Sequence, residues 1–191
     1  MTKDQIIEQD LSVMEQMAAE MEAYLMSECT HWVMGDGEMP PLTIGGYLMR
    51  YDRLMVLCKR LKKEDQVRVR QAGALFDEAL KEKVVRFEAR AHQELHAFIS
   101  EWVRHLKTLA SCKGEYTPKY PQMVDTRVVI DAIIKRLEQF PYQLDRKVAE
   151  EVSSLDKNLR GRWQKGAFVW HEMWQPAYPQ DEFWWLYGQP S

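Results

Sequence analysis

Glu88, His92 and His96 stand four residues apart, so a helix through them carries three possible metal ligands along one row. A carboxylate and imidazoles one turn apart can share a zinc or iron ion. The run His92-Gln93-Glu94-Leu95-His96 places its glutamate one position away from the His-Glu-x-x-His order of zinc proteases, so that chemistry is not indicated. No matching Glu-x-x-His stands on another helix to complete a di-iron bundle. The plain alternative is a pair of histidines on a polar helix face. Cys29, His31 and Met34 offer softer ligands, with Met14, Met17, Met21 and Met26 adding sulfur. Those methionines fall on or beside a heptad seam, where methionine fills gaps in a core. His105 follows Glu101 by one turn, and a carboxylate partner accounts for it without catalysis. Gly35-Asp36-Gly37 and Gly45-Gly46 lack the spacing of a phosphate-cradling loop and read as turns. With no nucleophile constellation visible, the chain is expected to be no enzyme and to need no cofactor.

Two basic clusters offer a different chemistry. Lys59, Arg60, Lys62 and Lys63 form one; Lys157, Arg160, Arg162 and Lys165 form the other, interleaved with Trp163. Cations can track a phosphate backbone while an aromatic ring stacks on a base. Against this, the basic face of the second helix can pair with the acidic face of the first, which carries Asp4, Glu8, Asp10, Glu15, Glu20, Glu22 and Glu28. Such pairing would set the register of a bundle.

The last 25 residues include eight aromatics, Phe168, Trp170, Trp174, Tyr178, Phe183, Trp184, Trp185 and Tyr187. Pro176, Pro179 and Pro190 exclude a long helix there. An aromatic tail can fold back over the open end of a bundle. It can equally dock on a second subunit or another protein through Trp170, Trp174, Trp184, Trp185 and Tyr187, since Trp and Tyr dominate interface hot spots. Membrane insertion of Trp184-Trp185 is disfavoured, because the tail carries acids and no lysine or arginine.

These candidates must be positioned by helices. Over 65–111, apolar residues recur at Val69, Ala72, Phe76, Leu80, Val84, Phe87, Ala91, Leu95, Phe98, Trp102, Leu106 and Leu109. The steps of three, four and four repeat every eleven residues, the period of a nearly straight helix. The spacing predicts one continuous element of some 47 residues without proline, with outer pairs Asp77–Lys81 and Glu82–Arg86 and a weak point at Gly73. Ile7, Leu11, Met14, Ala18, Met21 and Leu25 make a heptad seam for a first helix over 3–28. Thr43 reads as the N-cap of a second helix over 44–62, with Ile44, Leu48, Tyr51, Met55 and Cys58 on its inner face. The short turn to the long helix implies antiparallel neighbours. After a loop over 113–124, Asp125 or Thr126 reads as the cap of a fourth helix, which Pro141 kinks or turns before a stripe from Leu144 through Val148, Val152, Leu155 and Leu159 to Trp163.

Composition agrees with a helix-rich globular chain: 191 residues, 46% hydrophobic, with 9 Gly and 8 Pro. The net charge of −3 is no general attraction to nucleic acid. Three cysteines without close spacing suit reduced thiols and a cytoplasmic location. Positions 1–10 lack the apolar core of a signal peptide, and no apolar run is long enough to span a membrane.

The expected fold is therefore all-α: an elongated antiparallel bundle of four to five helices over 1–166 around one long central helix, with an irregular aromatic tail over 167–191, in a single domain. The leading functional expectation is a helical scaffold or adaptor acting through a protein partner or its own oligomer. A nucleic-acid-associated accessory role and a metal or small-molecule site are the alternatives.

Overall fold

The computed structural model describes residues 2–29, 32–35, 37–111 and 119–190. The chain divides into two compact units, Met1–Glu94 and Leu95–Ser191. It is predominantly α-helical, as its periodicity predicts, and one small two-stranded sheet is added near the C-terminus. Among the described residues no helix is long and apolar enough to cross a membrane.

The first unit holds α1 (Lys3–Met26), α2 (Ile44–Leu57), α3 (Lys63–Leu80) and the first turns of α4 (Val84–Ser111). Thr2 caps α1 reciprocally with Gln5, and Thr43 caps α2 by accepting from the Gly46 amide at 2.9 Å. The seam of α1 is buried at Leu11, Met14, Ala18, Met21 and Leu25, while Ile7 is half-buried. Ion pairs set the directions of the helices. Lys62 meets Asp4, Arg68 meets Glu8 and Glu15, and Lys83 meets Glu22, so α3 runs parallel to α1. Arg53 binds Asp10 while Gly46 lies against Met17, and Tyr51 lies on Gly73 while Tyr47 stacks on Phe76, so α2 runs antiparallel to both.

Four readings of this unit need correction. The inner face of α2 is Ile44, Tyr47, Leu48, Leu54 and Leu57, with Met55 exposed and Tyr51 and Cys58 half-buried. The heptad-like choice of Met55 missed the true face by one position. α2 also ends at Leu57, and Cys58–Arg60 tighten into a 3-10 turn. Gly73 is more than a weak point, because a Cβ there would lie 2.9 Å from the Tyr51 ring.

The fourth correction concerns the central helix. It is two helices, broken at 81–83, with Glu82 at a φ of +58°. Val84, expected in the stripe, is exposed, and Lys81 pairs with Glu78 on the surface. The expected Glu82–Arg86 pair loses its helical spacing, since Glu82 lies in the turn. The cause is tertiary. An unbroken helix would carry Glu94 about 20 Å beyond Leu80 along its axis. The break instead brings Arg90 and Glu94 onto the ends of α1 and α2.

The second unit holds the rest of α4, then α5 (Tyr120–Leu137), α6 (Arg146–Arg160), β1 (Trp163–Phe168) and β2 (Tyr187–Pro190), with 3-10 turns at Glu172–Ala177 and Trp184–Leu186. The stripe persists on α4 through Leu95, Trp102, Leu106 and Leu109, all buried, while Phe98 is half-buried. α5 begins at Tyr120, ahead of the expected Asp125 or Thr126 cap, because Pro121 in the first turn needs no hydrogen-bond partner. Its run Val128, Val129, Ile130, Ile133 and Leu137 is buried. Pro141 separates helices rather than kinking one: α5 ends at Leu137, the Phe140–Pro141 bond is cis, and Asp145 caps α6.

The last segment is ordered, where an irregular tail was expected. Trp163 starts a strand and does not continue the α6 stripe. β1 pairs antiparallel with β2, Trp163 opposite Pro190 and Phe168 opposite Tyr187. Gly188 sits at a φ of +139°, and a Cβ there would lie 2.0 Å from the Gln164 carbonyl oxygen. Only glycine allows the strands so close. The aromatics fold back on their own unit: Tyr120 donates to the Trp185 carbonyl at 2.7 Å, and Trp170 donates to the Pro121 carbonyl at 2.7 Å.

Candidate functional site

The C-terminal turn of α6 and the strand pair meet around a groove. Arg160 ends α6, Trp163 and Lys165 lie on β1, Trp184 on the 3-10 turn and Tyr187 on β2. With Gln180 and Asp181 these line an open compartment of about 680 Å³. The Arg160 guanidinium lies 4.4 Å from the Trp184 ring centre, a cation–π contact. The Trp163 and Trp184 rings meet edge to face at 5.3 Å. Neighbouring rings hold this wall: Tyr120 lies 5.6 Å from Trp163, and Trp185 lies 5.6 Å from Trp184. Trp184 is thus only half-buried but braced on two sides. Burial raises the Tyr187 phenol above its ordinary range, so it stays neutral there.

A second compartment of about 420 Å³ adjoins the first, and both share Arg160 and Trp184. It is lined by Arg127, Asp131, Asp156 and Lys157 among others. Its acids are already neutralised. Arg127 grips Asp156 with two hydrogen bonds of 2.9 and 2.7 Å, and Lys135 meets Asp131 at 3.1 Å. Arg127 itself is buried against the Trp185 ring, 3.9 Å from its centre. By contrast, among the described residues Lys157, Arg160 and Lys165 form no ion pair with a carboxylate. Arg160 and Lys165 line the first compartment with Asp181, and Lys157 lines the second beside two acids that already have partners, so free cations outnumber free acids along the groove in a chain of net negative charge.

The second basic cluster of the sequence is in this way divided. Lys157, Arg160 and Lys165 border the groove, while Arg162 turns to donate to the Leu106 carbonyl at 3.1 Å. The first cluster builds no comparable surface. Lys59 and Arg60 stand on an exposed 3-10 turn, Lys62 pairs with Asp4, and Lys63 starts α3. Of the aromatics considered for partner binding, Trp174, Trp185 and Tyr187 are buried, whereas Trp170 and Trp184 are half-buried.

Glu88, His92 and His96 lie along α4 as their spacing predicts. The His92 Nδ1 stands 2.9 Å from the Glu88 backbone carbonyl, within hydrogen-bonding distance of its own helix, and His96 is exposed. Among the described residues no group of His, Cys, Asp or Glu is placed to hold a metal ion. His31 lies outside the described residues, so the Cys29-His31 pairing does too; Met34 is fully buried. His105 sits 3.5 Å from Glu101, the partner its spacing predicts.

Another ionisable cluster is buried in the first unit, and every member serves the fold. Glu94 accepts from the Tyr24 hydroxyl at 2.7 Å and from the Ile44 and Gly45 amides at 2.7 and 3.1 Å. One turn earlier, Arg90 donates to the carbonyls of Tyr24, Ser27 and Cys29. A carboxylate at a helix N-terminus and a guanidinium at a C-terminus each complement the helix dipole. Burial raises the Glu94 pKa, and the hydrogen bonds and Arg90 oppose that rise.

Sequence reasoning passed over Arg127 and Arg90, and weighed Glu94 only against the order of a zinc protease. The available signal for Arg127 was a lone arginine at the head of the largely apolar run 128–134, and for the other two their position beside Ala91 and Leu95. Comparisons with protein-family models, with curated proteins and with solved structures find no match to this chain.

Proposed function

We propose that the chain is a binding protein, not a catalyst, and that its groove takes a ligand combining a flat ring with negative charge, of nucleotide type. One observation carries this reading: Trp163, Trp184 and Tyr187 line the same compartment as the unpaired cations Arg160 and Lys165. Every base has a π-face to stack on tryptophan, and phosphate is drawn to unpaired cations. Of the anchors the scaffold reading would use, Trp174 and Trp185 are buried in the chain's own core, Trp184 and Tyr187 line the groove, and Trp170 is half-buried.

The test is titration with a nucleoside monophosphate, followed by tryptophan fluorescence at low salt. Saturable quenching that weakens in Lys165→Ala is expected. The absence of any fluorescence or calorimetric change at millimolar ligand would dismiss the reading.

A further inference from the structure

The groove has a continuation that a mononucleotide would leave unused. Its second compartment begins at Arg160 and Trp184, the residues that close the first. It carries Lys157, one turn before Arg160 on the same face of α6. Side chains three apart on a helix stand about 5–6 Å apart at Cβ, so two cations line up along the groove. Between them they offer two phosphate positions, not one. The acids beneath do not cancel this pair, since Asp156 is taken by Arg127 and Asp131 by Lys135.

Building on the nucleotide-type reading of the groove, we infer that its ligand is a single-stranded nucleic acid lying across both compartments. One base stacks in the wall of Trp163, Trp184 and Tyr187, and successive phosphates follow Arg160 and Lys157 along the end of α6. A duplex hides its base faces and has nothing to stack there. A free mononucleotide satisfies only the first compartment. The recognition is of ring faces and phosphates, so it is tolerant of sequence and sensitive to salt.

The experiment measures, on the full chain, the affinities of a nucleoside monophosphate, a single-stranded hexanucleotide and the duplex of the same sequence. Each is repeated with Lys157→Ala, an exposed side chain whose loss leaves the core intact. The hexanucleotide should bind at least about tenfold more tightly than the monophosphate, by the added stacking and phosphate contacts. Lys157→Ala should weaken the hexanucleotide and spare the monophosphate, and should flatten the salt dependence by about 0.7 in log–log slope. Equal affinity for monophosphate and hexanucleotide, duplex binding as tight as single strand, or equal loss on both ligands in Lys157→Ala would each overturn the strand path while the groove reading stands. Failure of every ligand to bind would overturn both.

Discussion

The hydroxyl of Tyr24 donates a 2.7 Å hydrogen bond to the carboxylate of Glu94, and both groups are buried. The same carboxylate holds the first amides of α2. One side chain of α4 thereby joins the end of α1 to the start of α2. Tyr24→Phe leaves two amide donors on Glu94 and should cost about 1.5–3 kcal/mol, the range for a hydrogen bond to a charged group. Glu94→Ala strands two buried amides and the phenol and should cost more. The double variant should cost less than the sum, because both substitutions break one network. Urea denaturation of the three variants checks this; simple additivity would refute the shared network.

The acid limb of stability should depend on Arg68. Its hydrogen bonds hold Glu8 below the usual carboxylate range. A group whose folded pKa is depressed stabilises fully above its unfolded value, about 4.3, and loses that contribution as pH falls through the folded value. Glu94 has the opposite sign. Its raised pKa favours the fold below about 4.3, and the benefit is lost as pH rises through the folded value. Arg68→Ala removes the first effect and leaves the second. Its melting temperature should fall less steeply than the parent's between pH 5 and pH 3, a window of about two units around the free carboxylate value. Identical slopes would reject the Glu8 contribution.

Gly188→Ala should damage the sheet. The position combines a φ of +139° with a Cβ site 2.0 Å from backbone, so neither conformation nor space admits a methyl group. A loss of more than about 1 kcal/mol is expected from the conformational misfit alone. The near-ultraviolet dichroism of the tryptophans should change with it, because Trp163 and Tyr187 both lie on these strands. An unchanged melting temperature and spectrum would disprove the close approach.

The two basic clusters should separate in function. Arg160→Ala removes a groove cation and its contact with Trp184, and should lower ligand affinity by about tenfold, the upper part of a cation–π contribution plus a phosphate contact. Lys59→Ala, on the exposed turn of the first unit, should leave affinity unchanged. Calorimetric titration of both variants with the same oligonucleotide decides it. Equal effects would mean that attraction is spread over the surface and is not focused in the groove.

What the sequence determined by itself was whatever depends on local periodicity and local capping. The helical class follows from apolar spacing near 3.6 residues, and the seam of Leu11, Met14, Ala18 and Met21 needs no knowledge of its partners to be recognised as buried. Thr43 was legible as a cap because the geometry of a cap lies within four residues. The break at 81–83 was not legible: Lys81, Glu82 and Lys83 are not helix breakers, and the stripe keeps its phase across them. The gain that splits the helix lies in Arg90 and Glu94 meeting helix ends some fifty or more residues away. For the groove, Trp163, Arg160 and Lys165 were visible as a basic and aromatic cluster, but Trp184 and Tyr187 join it only through the β1–β2 pairing. Whether a cation is free is likewise a tertiary matter. Lys62 and Lys157 read alike in one dimension, and only the fold gives Lys62 an aspartate and leaves Lys157 facing an open compartment.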